Sequence, residues 1–188
     1  MSNAQLKHCI SGTSPKATDE GARVGRLRYL REVSLFQDLR SNDLALAAIA
    51  DLMQERSYAP GTRIIEEGTQ NSEMYFLISG SASVFKNTPE GEPFKVAIIE
   101  ASLASTERAF FGESSLIDDE MRSATLLSET ECHCLVLTRQ SFEQLSREHP
   151  QWALPLFRSL TSLVLSRLRK TNTDLSLLYR ALISEIRG

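Results

Sequence analysis

The 188-residue sequence predicts an α+β chain: a β-roll of the double-stranded β-helix or jelly-roll kind, with N-terminal helices and a long C-terminal helix. Two observations carry that expectation. Between residues 58 and 137, short β-prone runs alternate with turn residues, and Gly61, Gly68, Gly80 and Gly91 punctuate them at fairly regular intervals. Before and after this stretch, apolar residues recur at helical spacing instead. Many short strands with glycine turns make a sandwich, jelly roll or barrel, and the helical periods at the two ends place the helices outside it.

In chain order, residues 1–22, with the tag-like start Met1-Ser2-Asn3-Ala4, are rich in small polar residues and read as a flexible lead-in. From Val24 onward Leu27, Leu30 and Val33 fall at helical spacing, and Leu35-Phe36 closes that segment. Ser41 is a suitable N-cap for a second helix carrying Leu44, Ala48, Ile49, Leu52 and Met53. Strands are expected around 63–65, 74–78, 81–85, 96–99, 123–127 and 132–137. Thr138 caps a short helix that His149-Pro150 interrupts, and Pro155 marks the first turn of the long helix. The expected units are a lead-in over 1–22, a roll with flanking helices over 23–150, and a helical region over 151–188.

Composition narrows the function. A formal net charge of −3 supplies no general attraction to nucleic acid, which calls for clustered cationic charge. No apolar run approaches the roughly 20 residues of a membrane-spanning helix. No secretory signal is visible, and three cysteines make no paired disulfide framework, so a reducing cytoplasm is the expected compartment.

The stretch richest in chemistry is Phe111-Gly112-Glu113-Ser114-Ser115-Leu116, followed by Arg122-Ser123-Ala124-Thr125. A glycine, an acid and two serines ahead of an apolar pair suit a tight turn opening a short helix. Outward-pointing N–H groups of such a turn attract an anion. Nine positions after Glu113 stands Arg122, whose guanidinium can grip a phosphate in two places. Glu113 is a poor phosphate ligand but a good acceptor for a sugar hydroxyl. Together they match a sugar phosphate; a plain ion pair between Glu113 and Arg122 beside a helix start is the alternative.

These residues resemble the cyclic nucleotide-binding domain of Crp/Fnr-type catabolite activators and protein kinase A regulatory subunits. The likeness also rests on Tyr58-x-x-Gly61-x-x-Ile64-x-x-x-Gly68, on Met74-Tyr75-Phe76-Leu77-Ile78-x-Gly80 and on Leu35-Phe36-x-x-Leu39, and it covers roughly residues 26–172. The resemblance implies that Glu113 accepts from the ribose 2′-hydroxyl and that Arg122 pairs with the cyclic phosphate. It implies that Ser123 adds a hydroxyl, and that the Ser114 and Ser115 amides complete the anion nest. Gly112, after Phe111, lets the backbone approach closely. Two departures stand out: a glycine-free segment over 100–109 replaces the usual Pro-Gly turn, reshaping the rim or forming a lid, and Ser114 replaces an apolar residue.

On the long helix, Val164, Leu168, Thr171, Leu175, Leu178 and Leu182 recur four, three, four, three and four residues apart. Such a seam is buried between two helices or packs on the roll. The resemblance implies a homodimer through this helix, with Thr171 and Asn172 contacting the base across it; otherwise Thr171 bonds a backbone carbonyl one turn back. Cys132 and Cys134 share a strand face and read as core residues, with His133 opposite, so no metal site is expected. Nor does any catalytic arrangement or cofactor motif stand out. The expected function is a cyclic nucleotide (cAMP or cGMP) sensing module that moves the C-terminal helix and acts on an unknown effector protein. A roll that has lost its ligand and serves only protein interaction or dimerisation is the rival. A transcription factor is the other, but residues 176–188 leave no room for a winged helix-turn-helix, so no direct DNA binding by this chain is expected.

Overall fold

The computed structural model describes residues 16–102 and 108–187. Helix α1 (Lys16–Glu32) leads into a 3-10 helix (Ser34–Leu39) and α2 (Asp43–Asp51). Eight strands follow: β1 (Gln54–Tyr58), β2 (Arg63–Ile65), β3 (Glu73–Ser79), β4 (Ser81–Asn87), β5 (Pro93–Glu100), β6 (Phe110–Phe111), β7 (Thr125–Ser128) and β8 (Cys132–Thr138). A second 3-10 helix (Glu113–Leu116) separates β6 from β7, and α3 (Arg139–Glu148) and α4 (Pro150–Arg187) close the chain. The strands form two four-stranded sheets, ordered β1-β8-β3-β6 and β2-β7-β4-β5, with every described pairing antiparallel. This is the expected β-roll with helices at both ends.

The first sheet is covered on both faces, which explains why β3 and β8 read as continuous apolar runs rather than alternating ones. Along β3, Met74 and Phe76 face the helices while Tyr75 and Leu77 face the roll interior. Along β8, Leu135 and Leu137 join the helical side, and Cys132, Cys134 and Val136 line the interior. The two cysteines are the core residues anticipated, and His133 turns outward to hydrogen-bond Ser57 at 2.8 Å. Burial pushes the Cys134 thiol up to about 12, so it stays neutral. On the helical side Phe36 stacks on Phe76 with centroids 5.6 Å apart, seating the first 3-10 helix against the sheet.

Strands β1 and β6 lie outside the expected set and β7 starts at Thr125 instead of 123, and three helix boundaries also differ from the sequence expectation. Helix α1 already begins at Lys16, inside the stretch read as a flexible lead-in. Tertiary ion pairs hold its later turns on α2: Arg23 with Asp51 at 2.9 Å and Arg31 with Asp43 at 2.5 Å. Asn42, not Ser41, caps α2, its side-chain oxygen accepting from the Ala45 amide at 3.0 Å. The long helix starts at Pro150, which leaves Pro155 inside it instead of in its first turn. Packing against the core, where Ala153, Leu156 and Leu160 are buried, offsets the backbone hydrogen bond that Pro155 cannot make.

Beyond Leu163 the apolar seam of the same helix is no longer buried on the roll. The seam residues Val164, Leu168, Leu175, Leu178 and Leu182 are exposed, so the seam does not pack on its own roll. No helix among the described residues is long and apolar enough to cross a membrane.

Candidate functional site

Strand β6 delivers the chain to the site. Phe111 is buried and stacks on Tyr75 with centroids 5.2 Å apart, anchoring the residue before the turn. Gly112 follows in the left-handed region at φ 77°. A Cβ there would lie 2.7 Å from Arg122 Nη1 and 3.0 Å from the Glu73 carbonyl, so glycine is required by conformation and by space. The chain then turns into the second 3-10 helix, led by Glu113. Its largely covered carboxylate pairs with Arg167 of α4, and that guanidinium also sits over the Phe110 ring, 5.9 Å from its centroid.

Arg122 lies behind this turn, only 7% exposed. Its main chain is fixed in the 68–69 turn, accepting from the Gly68 amide and donating to the Thr69 carbonyl, both at 2.9 Å. Its Nη1 donates to the Gly112 carbonyl at 3.4 Å, and Nη2 to the Asn71 side-chain oxygen at 3.2 Å and to the Glu73 carbonyl. Each of these acceptors is a neutral dipole. Nε is buried with no hydrogen-bond partner among the described residues. Burial lowers the Arg122 pKa from its ordinary value, against the pull of Tyr75, Glu73 and Glu113. The guanidinium is therefore a buried cation without a bonded counter-charge, and an anion placed beside it recovers the interaction that burial removed.

Around it runs a polar chain. Asn71 Nδ2 donates to Glu73 Oε2 and to the Tyr75 hydroxyl, each at 3.3 Å. The Glu73 carboxylate also takes two bonds from Arg56, at 2.6 and 2.9 Å, and one from Tyr75 at 2.6 Å. Partial burial raises the Glu73 pKa, but these donors outweigh it and hold the carboxyl below its usual value. The result spends the Glu73 charge on Arg56 and leaves Arg122 with a neutral amide.

Of the residues singled out in the sequence, Phe111, Gly112, Glu113, Ser115 and Arg122 come together. Glu113 and Arg122 are not bonded to each other, so the plain ion pair is not what the two make; Glu113 instead pairs with Arg167. Ser115 is buried and turned inward: its hydroxyl lies 2.6 Å from the Gly112 carbonyl and 2.9 Å from that of Glu73, and its amide donates to the Gly112 carbonyl at 3.3 Å. Ser114 and Ser123 are exposed. On the roll-interior side shared with Phe111, the β4–β5 hairpin runs through the pairs Ala82–Ile99 and Val84–Ala97. Val84 is half-buried and Ala97 exposed, so this wall is open at its far end. Thr171 and Asn172 lie about one turn past Arg167 and are exposed; on this helix the hydroxyls of Thr161, Thr173 and Ser176 bond one turn back. Within the 100–109 rim, residues 103–107 lie outside the described residues, while Arg108 pairs with Glu32 and sits over the Tyr29 ring.

The sequence reading missed Arg167, Asn71 and Glu73. Arg167 carried a usable signal: it stands four residues after Leu163, as the first charge on the helix face that packs against the roll. Asn71 and Glu73 carried none, because their roles depend on a turn closing over a residue about fifty positions away.

The family described as "Cyclic nucleotide-binding domain" matches this chain over residues 55–149. Among curated relatives, the cAMP-dependent protein kinase regulatory subunit of Aspergillus fumigatus is 36% identical over 118 residues, covering 62% of this chain and 26% of that protein. Glutaminase 2 of Bradyrhizobium diazoefficiens is 31% identical over 150 residues, covering 80% of this chain and 22% of that protein. The chain thus spans about a quarter of the length of these relatives. Among solved structures, the catabolite activator protein of Thermus thermophilus superposes with a TM-score of 0.63 at 28% identity, covering 77% of this chain and 62% of that one.

Proposed function

Because the chain belongs to the cyclic nucleotide-binding domain family, a regulatory family, we propose that it senses a cyclic nucleotide, cAMP or cGMP, and reports occupancy through α4. The buried Arg122 guanidinium, bonded among the described residues to neutral acceptors and with its Nε unpartnered there, carries this reading. It takes the cyclic phosphate, whose charge restores what burial cost. Glu113, the residue after Gly112, accepts from the ribose hydroxyl, and Gly112 leaves the space beside the Arg122 guanidinium free of a side chain. The open wall at Val84 and Ala97 receives the rest of the ligand. Two free buried thiols, Cys132 and Cys134, fit the reducing cytoplasm.

The link to α4 is the Glu113–Arg167 pair. A ribose hydroxyl on Glu113 must share the carboxylate with Arg167 or displace it, so the ligand has unequal affinity for the docked and released helix. That difference shifts the helix equilibrium, commonly by about 1–3 kcal/mol. The exposed seam from Val164 to Leu182 pairs with a second copy of the chain, which brings Thr171 and Asn172 to the base, and an effector protein reads the change.

The test is calorimetric titration of the protein with cAMP and cGMP, beside Arg122→Ala. At least about tenfold weaker binding is expected for the variant, because the phosphate loses its buried counter-charge. Equal affinity of the two proteins would remove Arg122 from the site. An absence of binding to wild type would instead favour an interaction module in which Arg167 holds Glu113 permanently.

A further inference from the structure

The turn that would hold the nucleotide is gripped from behind by a residue outside it. The second 3-10 helix is only four residues long; the Ile117 and Asp118 amides both donate to its Ser114 carbonyl, which leaves the Ser115 carbonyl in need of partners from outside the turn. Arg139, the first residue of α3, supplies them. Its Nε and Nη2 both donate to the Ser115 carbonyl, at 2.9 and 2.8 Å. Nη2 also donates to the Asp118 carbonyl, and Nη1 pairs with the Asp119 carboxylate. The side chain is 17% exposed, shielded enough for these charge-assisted bonds to count. A cation at the carbonyl end of a short helix is favoured by the helix dipole as well.

The same residue is tied to the seat of Arg122. The Arg139 amide donates to the Ser72 carbonyl at 2.8 Å, between Asn71 and Glu73, both of which accept from the Arg122 guanidinium. Arg139 therefore joins three pieces: the 115–119 end of the turn, the 71–73 loop that orients Arg122, and helix α3. Helix α3 is in turn packed on α4, with Phe142 stacked on Phe157 at 6.0 Å between centroids.

We infer that Arg139 is a positioning residue for the nucleotide site. It keeps the 112–116 turn aligned with Arg122, and it gives ligand occupancy a second path to α4, through α3, separate from the Glu113–Arg167 pair. The inference rests on the cyclic nucleotide reading of the site.

The experiment combines amide hydrogen exchange of the ligand-free protein with cAMP titration and dissociation rates, for wild type, Arg139→Ala, Arg139→Lys and Asp119→Ala, with Arg122→Ala as the site control. Arg139→Ala is expected to speed exchange across 113–119 and to weaken cAMP at least about tenfold, mostly through faster dissociation. Lysine keeps the charge but not the planar fork, and should fall between alanine and wild type. Asp119→Ala removes one arm only and should change affinity less than about threefold. A purely structural residue would lower the melting temperature and speed exchange throughout, without singling out 113–119. Should Arg139→Ala fail to fold, Arg139→Lys decides by the same measurements. Faster exchange with unchanged affinity would overturn the positioning role, as would no change in either. Wild type that binds no cyclic nucleotide would fell the functional reading itself, a result distinct from wild type binding, Arg122→Ala failing and Arg139→Ala behaving as wild type.

Discussion

The 112–116 turn and the outer half of α4 solve opposite problems. The turn is short and irregular, yet nearly every polar group around it is answered within one chain: Arg139 at its carbonyl end, Gly112 and Glu73 carbonyls on Arg122, Arg167 on Glu113. The outer helix is long and regular, yet its seam leucines 175, 178 and 182 are 64%, 68% and 54% exposed. The turn is irregular backbone that tertiary bonds make rigid; the helix is regular backbone that lacks tertiary bonds. Regularity of local structure is thus no measure of how complete a region is. Arg167 is where the two meet, since it belongs to the helix and bonds to the turn.

The turn loses its rigidity most severely through a change at Gly112. Gly112→Ala should destabilise the fold by about 1–3 kcal/mol, because alanine is strained at positive φ and its methyl meets Arg122. Displacing that guanidinium should also abolish measurable nucleotide binding, which denaturant titration and calorimetry would separate. Next in size is acid sensitivity. The Glu73 pKa is held below its usual value, so its contribution is complete above the unfolded-state pKa and drains away as pH falls through the lower folded value. Stability measured from pH 7 downward should therefore drop below about pH 4.3, the unperturbed glutamate value. Glu73→Gln should show a shallower acid slope over that range.

Arg167→Ala acts where the turn and the helix meet. The pair is half-exposed on the arginine side, so stability should change by no more than about 1 kcal/mol. Fluorescence from a label on the outer helix should nonetheless show more motion, and less of it should depend on ligand. The smallest effect on folding is expected from Leu178→Glu. An exposed site in one copy should tolerate the change within about 0.5 kcal/mol. Sedimentation should show wild type as a dimer and the variant as a monomer; a wild-type monomer with and without ligand would remove the seam from the account.

Much of this was legible in the residues. Glycine spacing over 61–91 and the run Phe111-Gly112-Glu113 located the roll and the turn, because glycine at positive φ is a local requirement that sequence displays directly. Alternation along Cys132-His133-Cys134 placed the sulfurs inside and the imidazole outside. Boundaries were harder. Lys16 and Pro150 start helices where local pattern pointed later, since ion pairs with α2 and burial of Ala153 and Leu156 decide those ends.

By itself, the sequence determined which residue types stand at the turn, at what spacing, and that a glycine, an acid and an arginine would share one small region. Those are consequences of local stereochemistry and chain order. Only the tertiary structure decided that Arg122 is buried against neutral acceptors, that Glu113 belongs to Arg167, and that Arg139 closes the turn from behind. The reason is physical: each of those bonds joins groups from 10 to 54 positions apart, and its strength depends on how much water the intervening packing removes.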